Sequence, residues 1–506
     1  MKLIRKKIPL VFLVVSLLAV YGSSLAPGLT WANFGADGGD LITAAATGGI
    51  AHPTGYPLYL LLARLFQWIP LGSLAFRTNL MSALATVGAA ALVYGLVTRS
   101  FLFDSKNDPW LAGLVAGFAY GLAPLVWSQA VITEVYGLHS FFVALLITIA
   151  ISEVSGKFTQ KHKDILLGLA FGLAMGNHMT TILLFPVLLT GLASGDPTPA
   201  QGNWWKAHWN KEGRSLLRRF AFLGVGLLVY LILPLRAMAK PPVNWGDPVN
   251  LAGFTWLVSG KLYQGQLFAL SFASVWERFR VVVAMFLEQF GIPGLTVGLI
   301  GLIVFFKTSR LYLNLFWILV ASTIFAILYA TTDAFMYLIP AVLCFSIWIG
   351  IGVGKIINTA SRWSRQIGVT IGIVLILTLF LQAWKHWPQV DAADDHRAEH
   401  FIENVNDLAP ESAIIFAKGD QAVFSMWYSQ FALLKRPDLV ILAADLLQFG
   451  WYQATLHDTY PDLNVPGPFP FPETVVLANP ERAVCYAQYT QNAEINCTPA
   501  RGFTQP

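Results

Sequence analysis

Two aspartates, Asp37 and Asp40, stand among glycines shortly after the first apolar stretch of the sequence. Because they are three residues apart, their carboxylates share one face if a helix begins here. Such a pair can take the proton of a hydroxyl nucleophile, orient that nucleophile, or share a cation. The same residues are also good helix caps, so capping of a helix that starts at Leu41 is the structural alternative. His52 and Pro53 begin a second candidate segment. The structural alternative to a functional role there is a plain turn at Pro53 that breaks the helix.

More polar residues interrupt the apolar stretches that follow. Glu134 lies between the third and fourth stretches, where an acidic group at the outer surface is a site candidate. Alternatively, Thr133 and Glu134 cap the next helix and favour its N-terminal dipole. His139 comes one turn into that helix, where a buried structural histidine is the commoner case. Asn177 and His178 stand at a break between two short stretches. They either contact a substrate or satisfy the backbone groups that lose their helical partners at the break.

A basic residue, Arg236, ends a later apolar stretch and precedes a turn that contains Asn244, Trp245 and Asp247. Its guanidinium suits the phosphate of a membrane lipid, although an arginine here can also simply extend to the lipid headgroups. The remaining polar candidates on the same side are Lys261, Asp333 and Tyr337.

The composition shows what kind of chain must position these residues. Of its 506 residues 56% are hydrophobic and 12% charged, and the mean hydropathy is +0.58. Soluble chains carry about 25% charged residues. The composition therefore excludes a soluble multidomain enzyme and a disordered scaffold, and it predicts a polytopic membrane protein. Three cysteines exclude a disulfide scaffold and multi-cysteine zinc sites. The net charge of +5 comes from short loops and does not indicate nucleic-acid binding.

Eleven stretches are apolar and long enough to be predicted as spans. They are approximately 8–26, 79–99, 110–127, 136–153, 164–176, 179–194, 219–235, 281–305, 311–330, 335–353 and 367–384. The fifth and sixth form either a tight hairpin or one broken helix. The basic start of the chain predicts an uncleaved first helix with a cytoplasmic N-terminus. With this topology, more than half of the 33 Lys and Arg residues fall in inner loops.

Three soluble pieces then lie on the outer face: the loop 27–78, the loop 236–280 and the tail 385–506. The chain thus divides into a transmembrane domain, 1–384, and a C-terminal domain, 385–506. In the tail, β-rich runs such as 413–416 and 439–442 alternate with helical pattern, which predicts a small α/β domain. We expect Cys485 and Cys497 to form a disulfide there if the compartment is oxidising, with two free thiols as the alternative.

Familiar catalytic motifs are missing from the sequence. It contains no P-loop, no dinucleotide fingerprint, no His-Glu-x-x-His and no Gly-x-Ser-x-Gly. ATP-driven transport, dinucleotide redox chemistry and zinc hydrolysis therefore have no motif support. What the residues themselves indicate is an outward-facing acidic site in a many-helix membrane protein.

A family resemblance goes further than these patterns. The motif Asp37-x-x-Asp40-Leu41 is followed by His52-Pro53-Thr54-Gly55-Tyr56-Pro57 and then by Arg77-x-Asn79. Further motifs are Glu134-Val135-Tyr136, Asn177-His178-x-Thr180, Asn244-Trp245-Gly246-Asp247-Pro248 and Asp333-x-x-x-Tyr337. In this order they resemble a family of polytopic membrane proteins with bacterial members and a vertebrate ER protein O-mannosyltransferase, within the GT-C superfamily. The likeness covers about residues 30–345, and Gly419-Asp420 with Trp427-Tyr428 resembles bacterial tails. Asp40 departs from the family, which usually has Glu.

The resemblance implies an all-α polytopic GT-C fold of about 11 transmembrane helices, with the small α/β domain on the outer face. It also implies a sugar donor, mannose or a similar hexose, on a polyprenyl or dolichyl phosphate, and an exported protein hydroxyl or an envelope glycan as acceptor. Asp37 would be the general base, Asp40 would orient it or the acceptor, Glu134 would be a second acid, and Arg236 would neutralise the leaving phosphate. The reaction would be inverting. No metal is demanded, although the carboxylates permit a divalent cation.

The resemblance also implies a set of substrate- and donor-binding residues. They are His52, Tyr56, Arg77, His139, Asn177, His178, Arg236, Asn244, Trp245, Asp247, Lys261, Asp333 and Tyr337. We expect a multi-pass protein of the bacterial plasma membrane rather than the ER, since the tail looks bacterial and the C-terminus carries no ER-retention signal. The rival interpretation is a proton-coupled lipid or solute transporter without transferase activity. Acidic residues at the surface and the lack of an inverted repeat count against it.

Overall fold

The structure, a computed structural model, describes residues 2–99, 109–154, 158–190, 204–306, 311–467, 470–490 and 493–500. In the described part of the chain, helices are the main elements as far as residue 390. Its α-helices there are α1 (Lys2–Ser24), α2 (Gly38–Thr47), α3 (Pro57–Gln67), α4 (Leu74–Thr98), α5 (Pro109–Gly121), α6 (Pro124–Ala130), α7 (Tyr136–Ile151), α8 (Gln160–Asn177), α9 (Phe185–Leu188), α10 (Trp204–Leu227), α11 (Ile232–Ala237), α12 (Leu251–Val258), α13 (Phe272–Phe306), α14 (Leu311–Leu328), α15 (Ile339–Ala360) and α16 (Arg365–Val390).

Six of the described helical segments are long and apolar enough to cross a membrane. They are Lys7–Ser24, Leu74–Thr98, Glu212–Ala237, Phe272–Val304, Ala334–Ala360 and Arg365–Val390. A seventh span results if α5 and α6, which meet at an angle of 67°, are counted together. The bend falls just before Pro124, which lacks the N–H that would continue the helix.

The number of long spans is smaller than the eleven apolar stretches of the sequence. The other stretches correspond to shorter helices, namely Tyr136–Ile151, α8, Met179–Leu188 and Tyr312–Leu328. Polar breaks such as the one at His178 shorten them. Four basic residues of the predicted inner loops lie outside the described residues. They are Lys106, Lys157, Lys307 and Arg310.

Helices α8 and α10 pack closely because glycines face each other across the contact. A Cβ added at Gly172 would lie 2.3 Å from the carbonyl oxygen of Leu223. At the start of α8, the fully buried carboxylate of Asp164 accepts hydrogen bonds from Arg218 (2.7 Å) and from Arg219 (2.8 Å), itself fully buried. This ion cluster and the glycine contact join the two helices.

The C-terminal domain is the small α/β unit that the sequence predicts. Its elements are α17 (Arg397–Leu408), β1 (Ile414–Lys418), α18 (Asp420–Trp427), β2 (Val440–Ala443), α19 (Gly450–Thr459), α20 (Pro472–Ala478), β3 (Val484–Tyr489) and β4 (Ala493–Thr498). The strand order is β2-β1-β3-β4, with β1 parallel to β2 and β3, and β4 antiparallel to β3. Cys485 and Cys497 face each other in the β3–β4 register and form the expected disulfide.

The C-terminal domain packs directly on the first outer loop. Asp395 accepts hydrogen bonds from the hydroxyl of Thr30 (2.6 Å) and from the backbone N–H groups of Trp31 (2.9 Å) and Ala32 (2.7 Å). Helix α18 lies against α2 so closely that a Cβ on Gly39 would be 2.5 Å from the carbonyl oxygen of Phe424. The loop that carries Asp37 is therefore held between the membrane helices and the C-terminal domain.

Candidate active site

Asp37 stands at the junction between a 3₁₀ helix, Ala32–Asp37, and α2. Its side chain makes no capping hydrogen bond, so capping does not explain its presence. The side chain of Asp37 is 37% exposed, whereas that of Asp40, in the first turn of α2, is fully buried. The two predicted carboxylates thus differ in access: only Asp37 is open to an acceptor.

Asp40 is committed to protein partners. Its Oδ2 accepts hydrogen bonds from the backbone N–H of His52 (2.9 Å) and lies 2.7 Å from Nδ1 of the His52 ring. Its Oδ1 accepts a hydrogen bond from the indole N–H of Trp245 (3.1 Å). Asp40 therefore holds His52 and Trp245 in place and does not itself reach a substrate.

His52 links the two aspartates. Its other ring nitrogen, Nε2, lies 3.4 Å from Oδ2 of Asp37. Burial lowers the pKa of His52, but the Asp37 and Asp40 carboxylates outweigh burial and raise this pKa to about 9. The pKa of Asp37 is raised to about 6, mainly by burial and against the opposing effect of His52. Asp37 is therefore ionised at neutral pH and close to the range in which a carboxylate is an efficient general base.

Glu134 is a buried carboxyl beside this group. It precedes α7, whose first residue is Tyr136, and it makes no cap; its Oε2 accepts a hydrogen bond from the N–H of Val135 (3.3 Å). Thr133 does not cap either, because its hydroxyl donates to Asn79 (2.6 Å). Burial, followed by the charge of Asp37, raises the pKa of Glu134 well above its usual value. Both effects favour the uncharged form of this carboxyl.

Aromatic residues of three other predicted motifs surround His178, on the side of Tyr56 away from His52. The His178 ring lies 6.2 Å from that of Tyr56, 5.6 Å from Tyr136, 5.7 Å from Tyr337 and 5.0 Å from His139. Tyr56 in turn lies 5.0 Å from His52. A small cavity beside these rings is lined by Tyr136, His139, Thr180, Ser322 and Tyr337 among others. The residues that the sequence scatters over four segments thus form one aromatic and histidine group next to the acidic pair.

Several other predicted residues serve the backbone instead. Arg77 donates to the carbonyls of Gln67, Leu71 and Gly72, so it organises the turn before α4. Asn177 donates to the carbonyl of Val135 at 3.3 Å, which belongs to another segment and is not a backbone group freed at the break.

The predicted residues between positions 244 and 333 have varied positions. Asn244 donates to Asp247 (3.0 Å) within the turn. Lys261 begins a 3₁₀ helix, Lys261–Gln266, and is exposed. Asp333 immediately precedes another, Ala334–Leu338, and its charge acts on Asp37. Of these residues, Asp333 is therefore the one whose charge reaches the general-base candidate.

The C-terminal domain contributes residues that were not among the predicted site residues. Phe424 of α18 stacks on His52 with ring centres 6.3 Å apart. Trp245 is surrounded by Phe424 (6.3 Å), Trp427 (6.2 Å) and Trp451 (5.5 Å). Asp420, at the start of α18, acts electrostatically on both Asp37 and His52. The Gly419-Asp420 and Trp427-Tyr428 motifs were the available signal, but nothing in their spacing connects them to the first loop.

No group of three or more His, Cys, Asp or Glu side chains is arranged to hold a metal ion within the part of the chain that the structure describes. The carboxylates of Asp37 and Asp40 instead face the ring of His52, and Asp40 also faces the indole of Trp245.

Comparison with known proteins identifies relatives of the chain. Residues 37–197 match the family described as "Protein O-mannosyl-transferase TMEM260 N-terminal domain". The mouse (Mus musculus) Protein O-mannosyl-transferase TMEM260 is 26% identical over 462 residues, which cover 86% of this chain and 62% of the relative. The Dictyostelium discoideum tmem260 protein is 23% identical over 514 residues, 90% of this chain and 60% of the relative.

The family resemblance is confirmed. This chain is related to the TMEM260 proteins, although it spans only about 60% of the length of the curated relatives that it matches. Solved structures agree on the fold. ArnT from Cupriavidus metallidurans bound to undecaprenyl phosphate superimposes with a TM-score of 0.59 at 13% identity, covering 94% of this chain and 92% of ArnT. Apo ArnT gives a TM-score of 0.55 at 12% identity. The chain therefore has the GT-C fold, with membrane helices and a small C-terminal sheet.

Proposed function

We propose that the protein is an integral-membrane glycosyltransferase. It transfers mannose or a similar hexose from a polyprenyl or dolichyl phosphate to a hydroxyl of an extracytoplasmic acceptor, such as Ser or Thr of an exported protein. The observation that carries the proposal is the partly exposed, ionised carboxylate of Asp37 beside the buried Asp40–His52 pair. The named activity of the TMEM260 relatives and the lipid phosphate bound by ArnT support the reaction class.

The proposed chemistry is a single displacement. The acceptor hydroxyl gives its proton to Asp37 as its oxygen bonds to the anomeric carbon, and the bond from that carbon to the phosphate oxygen breaks. The polyprenyl phosphate leaves with the bonding electrons. Attack opposite the phosphate inverts the anomeric configuration.

We propose that two arginines receive the leaving phosphate. Arg236 donates to the carbonyl of Gly49 (3.1 Å) and Arg64 to the carbonyl of Ala46 (2.6 Å), so both lie at the end of α2. Each guanidinium has further N–H groups for phosphate oxygens, where charge grows in the transition state. We therefore propose Arg236 as a donor-phosphate ligand, with Arg64 as its neighbour.

The proposed orientation follows from the basic N-terminus and the basic inner loops. The N-terminus lies in the cytoplasm, and the site and the C-terminal domain face the outside. We propose the bacterial plasma membrane as the location. This orientation presents Asp37 to acceptors after their export.

The test is sugar transfer from radiolabelled polyprenyl-phosphate mannose and glucose to endogenous acceptors, using membranes that contain wild type or Asp37→Asn. Asn keeps the size of the side chain but cannot take a proton, so we expect transfer to fall by a factor of about 10²–10⁴. Asp394→Asn, a change at an exposed aspartate of the C-terminal domain, is the matched control and should transfer normally. Equal transfer by wild type and Asp37→Asn would show that Asp37 is not the base.

A further inference from the structure

The ring of His52 lies between two carboxylates. Nδ1 lies 2.7 Å from Oδ2 of Asp40, and Nε2 lies 3.4 Å from Oδ2 of Asp37. A neutral imidazole has one N–H donor and one acceptor nitrogen, whereas a protonated imidazole donates from both. Ionised carboxylates only accept hydrogen bonds, so this arrangement is satisfied on both sides when the ring carries a positive charge.

Asp40 is built to hold that charge in one place. It is fully buried, and its two oxygens contact three groups. These are the backbone N–H of His52, Nδ1 of the His52 ring and the indole N–H of Trp245. Phe424 covers the ring face at 6.3 Å and Tyr56 packs on its edge at 5.0 Å. The imidazole is therefore confined to an orientation in which Nε2 points at Asp37.

Acidic groups dominate the rest of the surroundings. Asp420, Asp333 and Asp40 all act on Asp37, and Glu134 acts on His52. Asp420, Asp333 and Asp40, and burial itself, favour the protonated form of Asp37. His52 is the group that opposes them.

We infer that His52 is a fixed cation, anchored by Asp40, that keeps Asp37 ionised as a base and is neither a donor-binding residue nor a base itself. The inference rests on the proposed transfer reaction and makes His52 a positioning residue for it. In the reaction the acceptor proton moves to Asp37, and the exposed side of Asp37 returns it to water. His52 keeps its own proton throughout.

The sign of the pH effect follows from this assignment. Asp37 is active when deprotonated, so transfer by wild type should fall as the pH drops through about 6. Removing the cation favours the protonated acid, so the pKa of Asp37 should rise further by about 1–3 units. In His52→Gln we therefore expect the acidic limb of the kcat/KM profile to move up by that amount. At pH 7 transfer should fall about tenfold, and above pH 9 it should return to within about threefold of wild type.

The experiment compares wild type, His52→Gln and His52→Asn, with His400→Gln at an exposed position as the matched control. Full pH profiles of transfer are measured for each protein. In parallel, infrared titration follows the carboxylic C=O band that disappears in Asp37→Asn. The infrared titration reports the pKa of Asp37 even if wild type transfers no sugar, so failure of the proposed function and failure of this inference are distinguishable.

An upward shift of both the acidic limb and the infrared pKa, with recovery at high pH, supports the inference. A rate that is low at every pH with an unshifted infrared pKa would show that His52 is only structural and would overturn it. If His52→Gln does not fold, His52→Asn decides, because it also replaces the cation by a neutral amide. An unchanged pKa of Asp37 in His52→Asn would also overturn the inference.

Discussion

At the scale of single residues, two neighbouring carboxyls have different surroundings. Asp37 has a partly exposed side chain and a cationic neighbour in His52, so it remains ionised at neutral pH. Glu134 is buried, and its pKa is raised well above the usual value by burial and by Asp37. Environments that separate two pKa values in this way assign different chemical tasks to similar groups. Asp37 can accept a proton, whereas the surroundings of Glu134 favour its neutral form.

A substitution at Glu134 tests this division. Because burial and Asp37 favour the uncharged form of this carboxyl, Glu134→Gln should reproduce its size and its hydrogen-bond donor, and transfer at pH 7 should stay within about threefold of wild type. Glu134→Ala should lose about tenfold or more, because it leaves a cavity beside Tyr136. Initial rates of transfer at equal protein levels measure both effects. A loss in Glu134→Gln as large as that in Asp37→Asn would show that Glu134 acts as an ionised group.

At the scale of elements, the site depends on helices that are held at fixed distances. Helix α2 carries Asp40 and approaches α18 through Gly39, where any side chain would collide with the backbone of Phe424. Helix α8 ends at Asn177, so His178 is positioned by the way α8 packs. Near the other end of α8, about 21 Å from His178 at 1.5 Å per residue, the buried Asp164 binds Arg218 and Arg219.

The Asp164 cluster should contribute stability and not catalysis. Asp164→Asn leaves the fully buried Arg219 without its counter-ion, so we expect a cost of about 3–5 kcal/mol. The melting temperature of the purified protein in detergent should fall accordingly, while transfer at low temperature remains near wild type. Glu277→Gln removes an exposed ion pair with Arg280 and is the control, with an expected change below about 1 kcal/mol. Equal melting temperatures for the two variants would contradict the prediction.

At the scale of the whole molecule, the C-terminal domain is part of the site. Phe424 covers His52, and Asp395 receives three hydrogen bonds from residues 30–32, shortly before Asp37. Although burial raises the pKa of Asp395, hydrogen bonds from Arg397 and Thr30 hold this pKa well below its usual range. Asp395 therefore remains a charged acceptor for the loop at every physiological pH.

Removing this acceptor should loosen the loop that carries Asp37. We expect Asp395→Ala to lower kcat about tenfold or more, since a small displacement of a catalytic group is costly, and to leave the donor KM nearly unchanged. Asp394→Ala changes the adjacent exposed aspartate and should behave as wild type. Steady-state transfer kinetics at matched expression distinguish these outcomes. Wild-type kcat in Asp395→Ala would mean that the membrane helices alone position Asp37.

The sequence by itself determined the class of the protein and much of its local structure. A charged fraction of 12% fits only a membrane protein, and long apolar runs predict helices because backbone groups in lipid must be satisfied within the segment. The tail could be predicted as α/β from its alternating runs, and Asp37 and Glu134 from acidic residues at the ends of apolar stretches. These are local properties, which depend on composition and on spacing along a few turns of chain.

Only the tertiary structure decided which of the polar residues work together. Asp40 binds His52 and Trp245, which come from different segments, and Phe424 reaches the same ring from the far end of the chain. Arg77 could not be assigned from sequence, because its carbonyl partners are set by the fold of the turn before α4. Spacing reports which face of a helix a residue occupies, but contacts between distant segments depend on how whole helices and the C-terminal domain pack. Packing therefore separates the partly exposed Asp37, the proposed base, from the buried Asp40 that supports its neighbour His52.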